Sequence, residues 1–325
     1  MKFPFHTIAV SLTASFLGLS SATAALSFGA GYGGTNYHTA GGGDGIISFD
    51  WGSDNALYYS TSTSSFTAGG VYRHDGLSTS TIMAGSSSLF AGASVVSIGG
   101  SIYFNDSTFS NVQRVHEYTI GSGTTTTATV TNYSLGTNGT DLFISGGDFS
   151  GTRLTWHPDG ISGSTIDLGG VDGASGPLTF DASGNLYYAP GFGDLKIYSW
   201  SASEVAATMS GGTPLSATGN VWVDYTSAFS TAGGATSMTT DEFGNVIVTI
   251  TNFTDPSALV KFSADGSGSY ETIATSTDRL GEVRLHEGKI YLAEGSSIVE
   301  IIPEPSSFLL AFMACGAFVM KRRRG

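Results

Sequence analysis

Five acidic side chains follow short apolar strands in successive stretches of this 325-residue chain: Asp106, Asp148, Asp194, Asp255 and Glu294. Carboxylates that converge from several loops, with amides such as Asn105 and Asn252 nearby, could bind Ca²⁺, which takes six to eight oxygen ligands. The alternative is that they are separate solvated loop charges, because Asp and Glu are mostly exposed in folded proteins. The sequence therefore offers a hypothetical metal site with these five residues as its ligands.

Motifs for other chemistry are missing from the sequence. It contains no Gly-x-Ser-x-Gly elbow, no His-Glu-x-x-His pair and no Walker loop, so we assign no catalytic residue. Gly29-x-Gly31-x-x-Gly34 matches the dinucleotide fingerprint only formally, because no buried strand precedes it and no helix follows. We interpret residues 29–45 as a flexible or turn-rich leader. His74 and His157 lie beside predicted outward turns, where we expect exposed histidines rather than metal ligands.

The strands that precede the acids belong to a repeat. They occupy residues 57–60, 102–105, 142–145, 186–189, 246–249 and 290–293, at intervals of 45, 40, 44, 60 and 44 residues. Turns rich in Asp, Asn and Gly precede them, and we expect Asp181 with Asn185, and Asp241 with Asn245, to serve turn geometry. The repeat predicts an all-β, six-bladed β-propeller over residues 25–302, with an insertion near residues 205–234.

A propeller would place the acids together. Loops from second to third strands, and loops that enter the innermost strands, emerge on one face around the central axis. The five acids would form an acidic rim there, with Asp172, Asp278 and Glu282 in or near loops of the second kind. Aromatics such as Trp51, Tyr225 and Phe253 would recognise protein or glycan if they were exposed; because aromatics in β-sheet repeats are usually core, we expect them in the core and assign them no site.

The sixth unit needs an outermost strand from elsewhere in the chain. The third and last strand predicted for this unit ends at residue 302. We expect residues 25–29 to supply the missing strand, because a closed ring removes exposed sheet edges.

Phe180-Asp181-x-x-Gly184-Asn185-Leu186-Tyr187 and Thr240-Asp241-x-x-Gly244-Asn245-Val246 recur at equivalent positions. They resemble blades of NHL-type and gluconolactonase-like six-bladed propellers, a likeness that covers residues 45–302. The resemblance implies the fold and leaves the function open, since such propellers include enzymes, binding modules and scaffolds. In the gluconolactonase-like members a metal at the tunnel mouth serves lactone hydrolysis.

The N-terminus is typical of a secretory signal peptide. Lys2 precedes an apolar stretch over residues 8–19, and Ala22-Thr23-Ala24 gives a small-x-small cleavage site before Ala25. Residues 1–24 therefore predict export through the secretion translocon and removal by signal peptidase. A permanent anchor is disfavoured because a span needs ~20 apolar residues.

The C-terminus, residues 303–325, combines three features in order. Pro303-Glu304-Pro305 comes first, the apolar residues 308–320 follow, and Lys321, Arg322, Arg323 and Arg324 end the run. This order is similar to the PEP-CTERM sorting signal of exopolysaccharide-producing Gram-negative bacteria. The resemblance implies recognition by an exosortase, a membrane-embedded cysteine protease, and release or transfer of the exported domain at the cell surface.

Physical length agrees with a temporary membrane segment. As a helix the apolar run reaches only ~20 Å, against a ~30 Å hydrocarbon core, and the basic cluster holds the end in the cytoplasm. The alternative, an ordinary C-terminal anchor, gives the same topology without processing. The only cysteine, Cys315, lies in this segment, so the body has neither a disulfide nor a thiol nucleophile.

Charge limits the partners. The chain has 13 basic and 26 acidic residues; without Lys2, the four terminal cations and Glu304, 8 and 25 remain, a net charge of about −17. Such a body repels nucleic acid and anionic membranes and is compatible with divalent cations, a polysaccharide matrix or plain solubility. We expect a non-enzymatic protein, first an inner-membrane sorting intermediate and then a cell-surface or matrix protein with a binding or structural role linked to exopolysaccharide. The alternative is a Ca²⁺-dependent lactone or sugar-ester hydrolase.

Overall fold

The computed structural model describes residues 26–63, 68–84, 90–107, 113–147, 151–229, 233–252, 256–277 and 279–304. Within these ranges the chain forms strands β1 to β26, numbered in chain order, and one α-helix, arranged in six sheets. Among the described residues, no helix is long and apolar enough to cross a membrane. The predicted signal peptide, and the tail from residue 305 onward, lie outside the described residues.

Each sheet contains a blade of four antiparallel strands, ordered from the centre outward, and two of the six sheets have a fifth strand at the outer edge. The innermost strands are β3 (Gly45–Trp51), β7 (Phe90–Ile98), β11 (Ser134–Thr137), β15 (Leu178–Phe180), β20 (Gly233–Thr240) and β24 (Leu280–His286). The second strands are β4 (Leu57–Ser62), β8 (Ser101–Ser107), β12 (Leu142–Gly147), β16 (Leu186–Tyr188), β21 (Val246–Asn252) and β25 (Lys289–Glu294). They fall where the repeat predicted them.

The outer half of each blade completes the pattern. The third strands are β5 (Ala68–His74), β9 (Gln113–Thr119), β13 (Gly151–His157), β17 (Lys196–Trp200), β22 (Ser257–Phe262) and β26 (Ser297–Pro303). The fourth strands are β6 (Thr79–Met83), β10 (Thr124–Thr129), β14 (Ile166–Asp172), β19 (Val221–Asp224), β23 (Tyr270–Ser276) and, for blade six, β2 (Tyr32–Thr39).

The innermost strands contact one another in a closed ring, from β3 through β7, β11, β15, β20 and β24 back to β3. This confirms the six-bladed propeller. The core lies between facing blades. Phe143, Tyr188 and Trp200, for example, are at most 1% exposed where blades three and four meet. Burying a large apolar side chain in this way contributes about 2–3 kcal/mol.

One position of the innermost strands links neighbouring blades through a serine hydroxyl. Ser48, Ser94 and Ser237 occupy equivalent positions in their innermost strands. In each case the next residue along the chain pairs with the middle of the second strand. Their Oγ atoms accept the backbone N–H groups of Val95, Leu135 and Val283 in the following blades, at 2.8, 3.1 and 3.0 Å. Each such bond contributes about 1 kcal/mol and fixes one blade on the next.

The Asp–Asn pairs form turns, as predicted. Asn185 donates to Asp181 through its backbone N–H at 2.9 Å and through Nδ2 at 2.8 Å. Asn245 makes the same two bonds to Asp241. Each turn also needs a glycine with positive φ, and Gly184 supplies it at 83°. The side chains of each pair thus bond to each other and to the backbone of the turn.

The ring closes through β2, so the prediction that residues 25–29 would supply this strand is wrong. β2 pairs with β26 from Tyr32 opposite Pro303 to Thr39 opposite Ser297. β1 (Ser27–Phe28) instead pairs with β23 and adds a fifth strand to blade five. The leader interpretation of residues 29–45 is corrected with it, because most of this stretch is strand.

Gly34 allows β1 to pack closely against β2 and β26, and its role is not backbone flexibility. A Cβ atom on Gly34 would lie 2.5 Å from Cζ of Phe28 and 2.9 Å from Cγ1 of Val299. Any side chain there would push β1 away from the closing pair. A glycine-rich composition alone could not distinguish this close packing from a loose leader.

The insertion lies between β17 and β19 and contains the helix α1 (Ala202–Met209) and β18 (Leu215–Ser216). Helix α1 starts with a capping box, in which Ser201 and Glu204 satisfy each other's backbone N–H groups. β18 pairs with β14 in parallel and covers the outer edge of blade three. The sequence predicted the insertion but not its helix.

The two turn histidines are not exposed, contrary to expectation. His157 is the last residue of β13 and is 1% exposed, with its ring nitrogens near the hydroxyls of Thr155 and Thr165 at 3.1 and 3.4 Å. Burial lowers the pKa of His157. His74 is half-buried against His38 of the closing strand. The two histidines are the last residues of β5 and β13 and therefore belong to strands.

The His38–His74 contact predicts a pH effect on ring closure. The His38 ring lies 4.4 Å from that of His74 and 4.9 Å from that of Tyr59. Burial, and then the proximity of His74, lower the pKa of His38 from 6.5 to about 4. Because the unfolded chain takes up this proton first, stability should fall as pH decreases from 6.5 to about 4.

The variant His38→Phe keeps the ring and removes the proton site. Relative to this variant, the unaltered chain should lose about 1 kcal/mol of unfolding free energy across that window, a figure discounted because the ring is only half buried. Urea titrations at pH 7 and pH 4.5 measure the difference. A gap between the two proteins that does not change with pH would contradict the prediction.

Candidate site at the tunnel-mouth face

Three of the five predicted acids lie on one face of the ring. Asp106 and Glu294 stand at or near the ends of β8 and β25, and Asp194 precedes β17. Because all second strands run toward the same end of the ring, this end is called the tunnel-mouth face. The three acids come from blades two, four and six, which alternate around the axis. Asp148 and Asp255 lie outside the described residues.

Asp106 is a buried, charge-paired carboxylate. Arg114 approaches it in a fork, with Nε 2.9 Å from Oδ1 and an Nη atom 2.7 Å from Oδ2. Nε2 of His116 lies 3.2 Å from Oδ2. Burial alone would raise the pKa of Asp106, but His116 and Arg114 outweigh burial and lower it below the usual 3.8. The carboxylate is therefore held as an anion by its own blade.

Asp194 and Glu294 also have polar partners, the first within its own blade and the second in the preceding blade. Asp194 accepts the hydroxyl of Tyr198 at 2.8 Å and lies 2.9 Å from Nζ of Lys196. Burial and this hydrogen bond raise the pKa of Tyr198. Glu294 is 5% exposed and accepts the hydroxyl of Ser276 at 3.0 Å. Both carboxylates therefore already have hydrogen-bond or ion-pair partners.

The described acids form no metal-binding group among themselves. Within the described ranges, His, Cys, Asp and Glu side chains form no group of three or more with metal-binding geometry. The cations of Arg114 and Lys196 beside two of the carboxylates would repel Ca²⁺. Asn105 uses its amide internally, since Oδ1 accepts Ser94 N–H at 2.8 Å and Nδ2 donates to Asn132 at 2.7 Å. Because Asp148, Asp255 and the Asn252 side chain lie outside the described residues, the five-residue metal site stays a prediction.

Glu282 was expected in or near a loop that enters an innermost strand; it is the third residue of the innermost strand β24 and is 8% exposed. It accepts the hydroxyls of Ser48 and Ser237 at 3.0 and 2.7 Å, and Nε of Arg284 lies 3.3 Å away. Burial raises the pKa of Glu282. It occupies in blade six the position of the linking serines, so one carboxylate joins blades five, six and one. Aligning the innermost strands as well as the second strands would have indicated this role.

Exposed aromatic rings share the tunnel-mouth face. Tyr133 precedes β11 and is 38% exposed, and Phe192 lies between β16 and β17 and is 39% exposed. They belong to the neighbouring blades three and four, and Phe192 is close in sequence to Asp194. Trp51 and Tyr225, by contrast, are 7% and 2% exposed, which confirms their expected place in the core. Phe253 lies outside the described residues.

Comparisons with known proteins identify the fold. No family model matches the sequence, and no curated protein matches it. A gluconolactonase from Xanthomonas campestris aligns with 87% of this chain and 98% of its own, at TM-score 0.57 and 10% identity. The PQQ-bound aldose sugar dehydrogenase from Streptomyces coelicolor aligns with 85% and 100%, at TM-score 0.53 and 12% identity.

A catalytically inactive virginiamycin B lyase from Staphylococcus aureus, solved with quinupristin, aligns with 83% of this chain and 99% of its own, at TM-score 0.50 and 11% identity. These proteins differ in activity, and at such identities the likeness concerns architecture alone. The chain is therefore an all-β, six-bladed propeller that resembles gluconolactonase-like and NHL-like propellers.

Asp106→Asn tests the charge pairing on this face. The change leaves Arg114 facing a neutral amide, and we expect a loss of about 1–3 kcal/mol in unfolding free energy at pH 7. The matched control is Asp167→Asn, because its partner Arg153 and Asp167 itself are more than half exposed; there we expect less than about 1 kcal/mol.

The pH dependence gives the sign of the Asp106 effect. Since the folded pKa of Asp106 lies below 3.8, its stabilisation is present above pH 3.8 and is lost as pH falls through the folded value. Chemical denaturation of both variants at pH 7 and pH 3 measures this. Equal losses for the two variants at pH 7 would show that the pairing of Asp106 is unimportant.

Proposed function

We propose that this chain is an exported cell-surface or matrix propeller that binds extracellular polysaccharide through its tunnel-mouth face, without catalysing a reaction. The single observation behind this proposal is that one face carries exposed Tyr133 and Phe192 together with carboxylates that are already paired. Aromatic rings offer a large contact area at low entropic cost. Paired carboxylates and the tyrosine hydroxyl retain acceptor capacity for sugar hydroxyls.

The charge of the body favours a neutral polymer. A net charge of about −17 outside the termini repels anionic chains unless cations bridge them. Uncharged sugars avoid this cost, and their hydroxyls match acceptors such as Asp194. The face would therefore recognise neutral sugar units.

The alternative is a Ca²⁺-dependent lactone or sugar-ester hydrolase. It is supported only by the architectural likeness to a gluconolactonase, and the cations beside Asp106 and Asp194 count against it. Calorimetric titration with Ca²⁺ separates the two functions. The binding role predicts no heat and no rise in melting temperature, whereas a saturable rise would favour the hydrolase.

Export and sorting belong to the same proposal. Pro303 is the last residue of β26, opposite Tyr32, and the N–H of Glu304 donates to the carbonyl of Gly31 at 2.8 Å. Both residues are exposed. The Pro-Glu-Pro motif would thus begin directly on the closing pair of blade six and present an extended backbone to an exosortase. Pro305, the apolar residues 308–320 and the basic cluster, Lys321 to Arg324, lie outside the described residues.

Replacing the exposed aromatics tests the binding face. Tyr133→Ala combined with Phe192→Ala should weaken binding to neutral exopolysaccharide at least about tenfold, because each truncation removes apolar contact worth about 1 kcal/mol or more. Affinity electrophoresis or glycan arrays measure the change. The control is Phe243→Ala, since Phe243 is 75% exposed but lies in the turn between β20 and β21, on the opposite face. Equal binding by all variants would contradict the proposal.

Processing is tested by mass spectrometry of the protein from a host that has an exosortase. We expect a mature N-terminus at Ala25 and a C-terminus shortened near Pro303 to Pro305, free or carrying a lipid or glycan. A host without the protease should retain the longer chain. An intact C-terminus in both hosts would identify an ordinary anchor.

A further inference from the structure

The outer edges of the blades differ in how they are protected. Unpaired edge strands invite pairing with other chains, and proteins blunt them with bulges, charges or cover. Blades three and five are covered by β18 and β1. In blades one, four and six, the pairing of the fourth strand is interrupted by a register shift, which twists the edge.

Blade two has neither form of protection. Its fourth strand β10 pairs with β9 in unbroken register from Thr124 opposite Thr119 to Thr129 opposite Arg114. The strand reads Thr-Thr-Thr-Thr-Ala-Thr, with no charge and no proline, and all its residues except the half-buried Ala128 are exposed. No other described strand pairs with its outer side. Threonine is enriched in strands, so this is an extended and open edge.

The register shows which backbone groups point outward. Just beyond β10, the N–H of Val130 donates to the carbonyl of Gln113. Bonded pairs alternate along an antiparallel ladder, so Thr124, Thr126 and Ala128 direct their N–H and C=O groups toward β9. Thr125, Thr127 and Thr129 direct theirs away from the sheet. These three residues form a row of unpaired donors and acceptors.

We propose that this edge pairs with β10 of a second copy of the chain, in antiparallel orientation about a two-fold axis through Thr127. In this register Thr127 faces Thr127 of the other copy, and Thr125 faces Thr129. Each of these pairs exchanges two N–H···O bonds, and the two blades become one continuous sheet.

A second copy fits this edge better than an unrelated strand. A two-fold pairing is self-complementary by construction, and here it places threonine opposite threonine, a favourable cross-strand pair. The body carries a net charge of about −17, which opposes association, but the neutral strand brings no like charges into direct opposition. Pairing through one strand buries less than a standard interface, so the dimer should depend on concentration and should strengthen when salt screens the net charge.

Charged residues introduced at Thr125 and Thr129, which face each other across the proposed pair, test the register. In the full-length chain, purified in mild detergent, sedimentation velocity in 10-fold concentration steps at about 0.5 M salt should show a monomer–dimer equilibrium. The double variant Thr125→Lys with Thr129→Lys places lysines opposite each other and should abolish the dimer. Thr125→Lys with Thr129→Glu places lysine opposite glutamate and should retain it. Thr81→Lys, an exposed threonine on the bulged edge β6 of blade one, is the control and should not change the equilibrium.

A disulfide gives an independent readout. In a Cys315→Ser background, Thr127→Cys should form a covalent dimer under mild oxidation, because facing Cα atoms in a bonded pair are ~5.5 Å apart. Thr81→Cys in the same background should not. A single-chain mass for the unaltered protein at every concentration would overturn the proposal. So would a dimer that survives the two-lysine variant.

Discussion

Closing the ring is the constraint on which the rest of this structure depends. Blade six has three strands of its own, and its outer edge would stay open without a strand from the other end of the body. β2 fills that place, and the ladder between β2 and β26 joins residues more than 250 positions apart. Such closure costs chain entropy. Contacts made only in the closed ring offset that cost, above all the hydrogen bond from Ser48 of blade one to Glu282 of blade six.

The same closed ring determines what the tunnel-mouth face can do. Asp106 and Asp194 are satisfied within their own blades, whereas Glu282 and Glu294 accept hydrogen bonds from neighbouring blades. Cations of the described body form ion pairs within their own blades, for example Arg73 with Asp54, Lys261 with Glu271 and Lys289 with Glu300. The excess negative charge therefore remains on the surface. A rigid acidic body with a few exposed rings is suited to binding and spacing polymers.

The repeat in the second strands was enough to predict the blade count, the insertion and the Asp–Asn turns, because these are local patterns with a fixed period. Ring closure was assigned to the wrong residues because glycines at a close contact, such as Gly34, have the composition of a leader. The linking role of Glu282 depends on hydrogen bonds from two neighbouring blades, which the pattern of the second strands does not show. The burial of His157 and the helix α1 depend on contacts with neighbouring blades, which no local pattern shows. The aromatic pair on the tunnel-mouth face was missed for the same reason, since exposure is a tertiary property.

Hydrogen exchange of the backbone amides in β2 and β26 tests the closed ring most directly. If β2 completes blade six, the amides bonded between these strands should exchange only with global unfolding, as slowly as those between β21 and β22 in the interior of blade five. Fast exchange in β26, at the rate of a frayed edge and independent of global stability, would contradict the account.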